Sequence, residues 1–285
     1  AGVAPIPGRG APRRADDRVG YFLTARKDFG RDRHEDYWER MINRRRLISS
    51  DPSAALADPV KPIVFYLERT IPEAYRPAVK RGVENWQKAF DAAGFKSAIV
   101  AQDAPDDSTF DPADVRFSTI RWIVSSEPSF GAIAPSRIDP RSGEILDSDI
   151  LIEGSVIQSY GNIWRRYASA QALGDAVLPQ APVLNGVPLE QQCAAADAFA
   201  DGGALLRLDL LANGLLAPGQ PVPDAFLNEA ITQMVMHEVG HTLGLRHNFR
   251  SSTATPFDKL ADSTWTGVHG VTGSVMDYVA PNIGA

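Results

Sequence analysis

The chain has 285 residues, of which 44% are hydrophobic and 22% are charged, so it can bury a sizeable core as one large domain or two lobes. Its net charge of −6 gives no reason to expect nucleic acid as a partner. No apolar run approaches the roughly 18 residues that a membrane-spanning helix requires. The one cysteine, Cys193, excludes an internal disulfide and a cysteine-rich metal site.

Residues 1–58 are predicted to form an N-terminal extension ahead of a main domain at 59–285. Residues 1–18 are rich in Pro, Gly and Arg and lack apolar periodicity, which predicts a mobile tail. Val19–Thr24 has the composition of one strand, and Asp32–Leu47 is predicted to be a charged helix. One hypothesis takes the whole extension as the remnant of a larger precursor that straps onto the main domain.

A mostly parallel sheet is predicted for the next part of the chain. Ile63–Leu67 is a continuous apolar run that suits a strand buried on both faces. Pro72–Phe95 has apolar residues at helical spacing, and Gly94 supplies its stop signal. Two further strands are predicted at Ala98–Ala101 and Val115–Val124. The resulting β-α-β-β order implies a parallel sheet with a crossover helix.

The segment Phe130–Glu153 is predicted to be a hairpin at the edge of this sheet, reversing at residues 139–143. Its first part carries small residues and leads into a proline, as an edge strand often does. The residues of this edge are Gly131, Ala132, Ile133 and Ala134. An edge beside a catalytic cleft can pair with an extended peptide backbone, whereas an ordinary edge hairpin explains the pattern equally well.

Residues 155–224 show the least regular pattern, with alanine-rich stretches and Pro and Gly breaks. They are predicted to be an insertion of short helices and loops within the main domain. Two roles stay open for this insertion, which either shapes a substrate pocket or only covers the sheet.

The strongest signal is Met236–Phe249, which reads MHEVGHTLGLRHNF and holds three of the five histidines. On a helix, His237 and His241 project from one face, where two neutral imidazoles can bind one Zn²⁺ ion. Glu238 lies one step round the helix from His237. This position suits a general base that takes a proton from an attacking water molecule.

The rest of this motif argues against a chance match. Gly244 is placed to end the helix, because glycine tolerates a left-handed conformation, and the chain can then present His247 as a third ligand. Three protein ligands leave a coordination position open, which is typical of a catalytic zinc site. An apolar stripe lies roughly opposite the first two histidines and comprises Ile231, Val235, Val239 and Leu243. HExxH alone has a real false-positive rate, but HExxHxxGxxH fixes the residue at five positions.

The sequence SVMDY at Ser274–Tyr278, together with the histidine motif at 237–247, resembles the metzincin clan of zinc peptidases, whose Met-turn lies beneath the metal. The resemblance implies an α+β fold with a twisted, mostly parallel sheet, an antiparallel edge strand, two long helices and a small irregular C-terminal lobe. It implies one catalytic Zn²⁺ ion held by the three histidines, and it leaves a structural Ca²⁺ ion open. It also implies Glu238 as general base, Met276 as the floor of the site and Gly131–Ala134 as a substrate-binding strand.

Tyr278 follows Met276 by two residues, as in the astacin and serralysin branches, where the matching tyrosine approaches the zinc and stabilises the oxyanion. A packed tyrosine without this role is the competing interpretation. Val60–Ile152 and Ala230–Tyr278 resemble more closely a family of large bacterial zinc-dependent metalloproteases, through phrases such as RGVENWQKAFDAAGF and DPRSGEI. Those proteins are generally exported, which implies a secreted, periplasmic or cell-envelope location. Asn248 departs from the best-known branches and leaves the side-chain preference open.

The sequence therefore predicts a zinc-dependent endopeptidase whose partner is a protein or peptide substrate. Two alternatives stay open. One is a zinc hydrolase of non-peptide amides or esters that uses the same centre. The other is a non-catalytic binding module stabilised by zinc, which is disfavoured because such a module does not need the carboxylate of Glu238.

Overall fold

The computed structural model describes residues 11–30, 37–107, 109–126, 130–155, 157, 195–217, 219–279 and 282. The strands are β1 (Leu23–Lys27), β2 (Trp38–Ile42), β3 (Ile63–Leu67), β4 (Ile99–Asp103), β5 (Ser118–Ile123), β6 (Ala132–Ile133), β7 (Ser136–Ile138) and β8 (Ile145–Glu153). The α-helices of the described residues are α1 (Arg76–Glu84), α2 (Gln87–Ala92), α3 (Ala195–Ala212), α4 (Asp224–Thr242) and α5 (Ser263–His269). None of the helices within these ranges is long and apolar enough to cross a membrane.

The main sheet has the strand order β4-β3-β5-β8-β6. The pairs β3–β4, β3–β5 and β5–β8 are parallel, whereas β6 and β7 run antiparallel to β8. The apolar run of β3 is buried on both faces, since Phe65 and Leu67 are fully buried and the residues between and beside them are at most partly exposed. The predicted α+β fold, with a mostly parallel sheet and an antiparallel edge, is confirmed.

Helix α4 lies in the core and packs against α1 and against β8 and β6 of the sheet. Ile231, Val235 and Val239 of the predicted apolar stripe are fully buried. Close contact with α1 depends on Gly82, because a Cβ atom there would lie 2.6 Å from the Cβ of Val235. The prediction of one helix over Pro72–Phe95 is wrong in detail, since α1 and α2 are separate and a 3₁₀ turn at Glu73–Tyr75 precedes them. The break falls where the Trp86 indole donates to the carbonyl of Met236 in α4, at 2.8 Å.

The predicted charged helix at Asp32–Leu47 is wrong for its described part, because Trp38–Ile42 forms β2 and pairs antiparallel with β1. The charged side chains that suggested a helix surface instead pair with side chains of the neighbouring strand. Arg26 stands opposite Glu39 and forms an ion pair with it at 2.5 Å, and the Lys27 ammonium lies 5.0 Å from the ring of Trp38. Such pairs stabilise a two-stranded sheet through contacts that sequence spacing along one segment does not reveal.

Two other predictions change in the described parts of the chain. The predicted tail is paired over part of its length, since the Ile42 N–H donates to the carbonyl of Arg13 and the Ala15 N–H donates to that of Arg40. The segment 155–224, predicted as an insertion, contains α3, an 18-residue helix, where only short helices were predicted. Residues 1–10, 31–36, 156 and 158–194, which include Cys193, lie outside the described residues.

Candidate metal centre

Helix α4 and the turn after it bring three histidine side chains together. The ring centroids of His237 and His241 are 4.8 Å apart, and the ring of His247 lies 4.7 Å from His241 and 5.4 Å from His237. One ring nitrogen from each side chain lies within 4.8 Å of the other two. Three nitrogens at this spacing can share one metal ion.

The chain reverses at Gly244, whose φ of 99° lies in the left-handed region that favours glycine. The Gly244 N–H donates to the carbonyl of His241 at 2.9 Å, and the Leu245 N–H donates to that of Gly240 at 3.1 Å. These bonds satisfy the last carbonyls of α4 and fold the chain back. The predicted helix end at Gly244 is thus found, and it carries His247 to the other two imidazoles.

Backbone carbonyls fix how the rings of the first two histidines face the centre. Nδ1 of His237 lies 2.8 Å from the carbonyl oxygen of Val275, and Nδ1 of His241 lies 2.8 Å from that of Leu245. A carbonyl can only accept, so each Nδ1 carries the proton and each Nε2 keeps its lone pair. Nε2 of His237 is buried with no hydrogen-bond partner within the described residues, and Nε2 of His241 lies 3.1 Å from Nε2 of His247. This donor set fits a divalent metal ion such as zinc.

The surroundings keep the three imidazoles neutral. Burial, reinforced by the neighbouring His241, lowers the pKa of His237 to about 3 and that of His247 to about 4. Burial also lowers the pKa of His241. At neutral pH the three imidazoles are therefore uncharged, so a metal ion would not have to displace a proton from Nε2 of His237 or His241.

Two further polar side chains belong to this region. Glu238 follows His237 on α4 and is only 1% exposed. The Tyr278 hydroxyl lies 2.9 Å from Nε2 of His247, and its ring centroid is 5.6 Å from that of His237. The structure thus brings Tyr278 to the histidine cluster, although it comes from a distant part of the chain.

Met276 packs against α4 at the residue between the two helical histidines. It is 2% exposed, and a Cβ atom at Gly240 would lie 2.2 Å from its Sδ. Its carbonyl accepts from the Asn248 N–H at 2.9 Å, one residue after His247. Gly240 is therefore needed for this close approach, which ties the Met-turn to the helix.

Asp277 has a structural role that the sequence does not predict. Its buried carboxylate accepts hydrogen bonds from the hydroxyls of Thr272 at 2.8 Å, Ser251 at 3.2 Å and Ser252, and from the Tyr278 N–H at 2.9 Å. It links the Met-turn to the segment after His247. The sequence shows only that an aspartate follows Met276, because its partners come from two separate turns.

A cavity of about 200 Å³ opens beside His241. Ile133 and Ala134 of the predicted edge line it, whereas Gly131 and Ala132 are buried and are not among the lining residues. Two further lining residues, Phe22 and Asn43, come from the N-terminal extension and were not predicted as site residues. No local signal marks them, because only the folded chain brings them to the cleft.

Comparison with known protein families matches residues 219–285 to a family model described as Met-zincin. The matched segment contains α4, the histidine turn and the Met-turn. The match supports a metzincin-type family and a zinc metallopeptidase type of function, in agreement with the histidine cluster and the fold. Comparison with curated proteins and with solved structures gives no match to this chain.

Proposed function

We propose that this chain is a zinc-dependent endopeptidase with His237, His241 and His247 as the zinc ligands. The observation that carries the proposal is the convergence of three neutral imidazoles around the buried Nε2 of His237, which has no hydrogen-bond partner in the described chain. The Met-zincin match over the same segment supports it. Zinc would supply a Lewis acid that polarises the scissile carbonyl and makes a water molecule easier to deprotonate.

The protein's own groups then move the protons and hold the developing charge. The Glu238 carboxylate takes a proton from the attacking water and passes it to the nitrogen of the leaving amine. The Tyr278 hydroxyl donates a hydrogen bond to the oxyanion of the tetrahedral intermediate. Its distance of 2.9 Å from His247 supports this assignment. Gly244 and Met276 position the ligands through the turn and the packing against α4.

The substrate backbone is proposed to pair with the edge formed by Gly131, Ala132, Ile133 and Ala134. Within the described chain β6 is the last strand in the order of the main sheet, so one of its sides can take an extended peptide. The cavity shared by Ile133, Ala134 and His241 supports this placement. A secreted, periplasmic or cell-envelope location in a bacterium is proposed with it, as the sequence resemblance implies.

The proposal is tested by comparing wild type with Glu238→Ala. Removing the general base is expected to lower the rate of peptide cleavage by about 10³-fold, because positioned proton transfer contributes on the order of 10²–10⁴ in rate. The zinc content, measured by atomic absorption, should stay at that of wild type, and a chelator should abolish cleavage by wild type. The matched control is Glu229→Ala, which removes an exposed carboxylate from the same helix and should leave the rate unchanged.

The substrates are an unfolded protein, a peptide library and a set of esters and non-peptide amides. Wild-type turnover of only the last set would replace the peptidase by a different zinc hydrolase. Stoichiometric zinc with no turnover of any substrate would favour the binding module. Undiminished cleavage by Glu238→Ala would overturn the assigned mechanism.

A further inference from the structure

The cavity beside His241 is closed on one side by Phe22 and Asn43 of the N-terminal extension. These two residues and their neighbours Gly20 and Arg44 are called the wall. The apolar lining of the cavity comes from both parts of the chain, namely Phe22, Ile133, Ala134, Pro135, Ile138 and Ile145. The ring centroid of Phe22 lies 5.6 Å from that of His241, so this wall borders the candidate metal centre directly.

Backbone hydrogen bonds fasten this wall to the turn that carries the third histidine. The Phe22 N–H donates to the carbonyl of Gly244, and the Arg246 N–H donates to that of Gly20, both at 2.8 Å. The Asn43 N–H donates to the carbonyl of Phe22 at 2.8 Å. A Cβ atom at Gly244 would lie 2.0 Å from the carbonyl oxygen of Asn43, so the glycine that turns the chain also allows the wall to approach.

The same segment is fastened to the sheet on the opposite side of the cavity. The Arg44 N–H donates to the carbonyl of Gly143 at 3.0 Å, and the Ile145 N–H donates to that of Arg44 at 2.9 Å. The wall therefore spans the distance from the end of α4 to the start of β8. Attachment at both ends fixes the size of the pocket that Phe22 closes.

The side-chain oxygens of Asn43 and Ser136 in the lining already have partners within the protein. The Asn43 side-chain oxygen accepts from the Thr24 hydroxyl at 2.6 Å, and the hydroxyls of Ser136 and Ser148 are 2.7 Å apart. Among the described residues, no acidic or basic side chain other than His241 lines the cavity. A charged substrate side chain would lose its hydration there without a compensating partner, whereas an apolar one gains from burial.

We propose that this pocket binds one apolar side chain of the peptide substrate and that Phe22 sets the largest side chain it accepts. The inference rests on the proposed peptidase function and names its substrate class, a peptide with a medium-sized apolar residue at one fixed position near the scissile bond. Phe22 acts here as a specificity-determining residue and takes no part in the chemical step.

The test measures binding and cleavage separately. Fluorescence anisotropy with the full chain carrying Glu238→Ala compares labelled peptides that differ at one position in Ala, Leu, Trp, Asp or Lys. We expect Leu to bind at least tenfold more tightly than Ala, and Asp and Lys no more tightly than Ala, because one methylene group in an apolar pocket discriminates by roughly 10–200-fold. Adding Phe22→Ala should cut the Leu-to-Ala ratio to about twofold and improve binding of Trp. The matched control is Leu23→Ala, which removes an exposed apolar side chain from the next position and should change neither ratio.

A cleavage profile with Phe22→Ala in the otherwise wild-type chain should show the same shift toward larger residues at one position, with unchanged zinc content. Binding ratios that do not respond to Phe22→Ala, or respond equally to Leu23→Ala, would overturn the pocket assignment even if wild type cleaves peptides. Absence of side-chain-dependent binding would overturn it as well. If the binding ratios depend on Phe22 but wild type cleaves nothing, the pocket stands and the peptidase function fails.

Discussion

The metal centre and the N-terminal wall of the cleft are built in opposite ways. His237, Glu238 and His241 lie on adjacent turns of one helix, and His247 follows after a single reversal. Phe22 and Asn43 reach the same cleft from the other end of the chain, held by backbone hydrogen bonds to residues that are distant in sequence. The first region is fixed by local helical geometry, and the second exists only when β1, β2 and the turn after α4 are all in place.

The metal centre holds the residues proposed for catalysis, whereas the wall is proposed to set the substrate preference. The ligand set needs residue types at fixed spacing, because imidazoles four residues apart share a helix face in any fold. The wall needs only an apolar side chain at position 22, and backbone pairing with distant residues brings that position to the cleft. Gly244 belongs to both regions, since it turns the chain toward His247 and admits the carbonyl of Asn43. A substitution within the metal centre should therefore leave the wall in place, and a substitution within the wall should leave the metal centre in place, whereas a substitution at Gly244 should affect both.

The largest effect is expected from His241→Ala, which removes one of the three proposed zinc ligands. Bound zinc should fall well below one equivalent, and peptide cleavage should fall to the level of chelator-treated wild type. Atomic absorption and a peptide cleavage assay measure both quantities. The control His269→Ala removes an exposed imidazole from α5 and should change neither. Retained stoichiometric zinc in His241→Ala would contradict the ligand assignment.

Gly244→Ala should break both regions at once. Alanine at a φ of 99° is strained, and its Cβ would meet the Asn43 carbonyl, so we expect a loss of about 4 kcal/mol in the free energy of unfolding. Urea denaturation followed by circular dichroism measures it. In the control Gly267→Ala, the new Cβ meets nothing within 4 Å inside α5, so stability should stay unchanged or rise by about 0.5 kcal/mol. Equal stability of the two variants would show that the wall does not approach this turn closely.

Tyr278→Phe should affect the chemical step and leave both regions folded. Loss of one donor to the oxyanion is expected to lower kcat by about 10²-fold, with little change in KM. Steady-state kinetics on the best peptide of the library measures the two constants, and zinc content serves as the folding check. A kcat equal to that of wild type would leave Tyr278 as a packing residue.

The smallest effect is expected from Arg45→Met, which loosens the wall and spares the ligands. The Arg45 guanidinium donates to the carbonyl of Thr242 at 3.3 Å and to the Ser118 hydroxyl at 3.1 Å. Burial lowers its pKa to about 10, against the opposing effect of the nearby aspartates, so it stays charged at neutral pH. We expect the free energy of unfolding to fall by about 2 kcal/mol, because two hydrogen bonds from a charged donor are lost.

Urea denaturation measures this loss, and the anisotropy ratio for Leu over Ala peptides should fall while zinc content stays constant. The control is Arg69→Met, which breaks an ion pair that is exposed on both sides and should cost well under 1 kcal/mol. A loss of zinc in Arg45→Met would show that the two regions are not separable.

The sequence by itself determined the histidine cluster, the helix end at Gly244 and the order of the strands and the connecting helical segment in the first part of the main sheet. Each depends on contacts within a few residues, where helical spacing, glycine conformation and apolar runs act directly. The strand prediction at Ile63–Leu67 agrees with the structure residue for residue. A run that is apolar at every position does not fit a strand or helix with one exposed polar face, whereas a strand buried on both faces must be apolar throughout.

Only the tertiary structure decided the role of the N-terminal extension. The charges around Trp38–Ile42 fit a helix surface as well as a strand until β1 is placed opposite and supplies Arg26 and Lys27 as partners. Likewise, the partners of Asp277 come from two separate turns, and the apolar side chain of Phe22 becomes a pocket wall through hydrogen bonds to Gly244. Strand pairing and pocket lining are properties of residues far apart in sequence, and their free energy depends on neighbours that no local pattern contains.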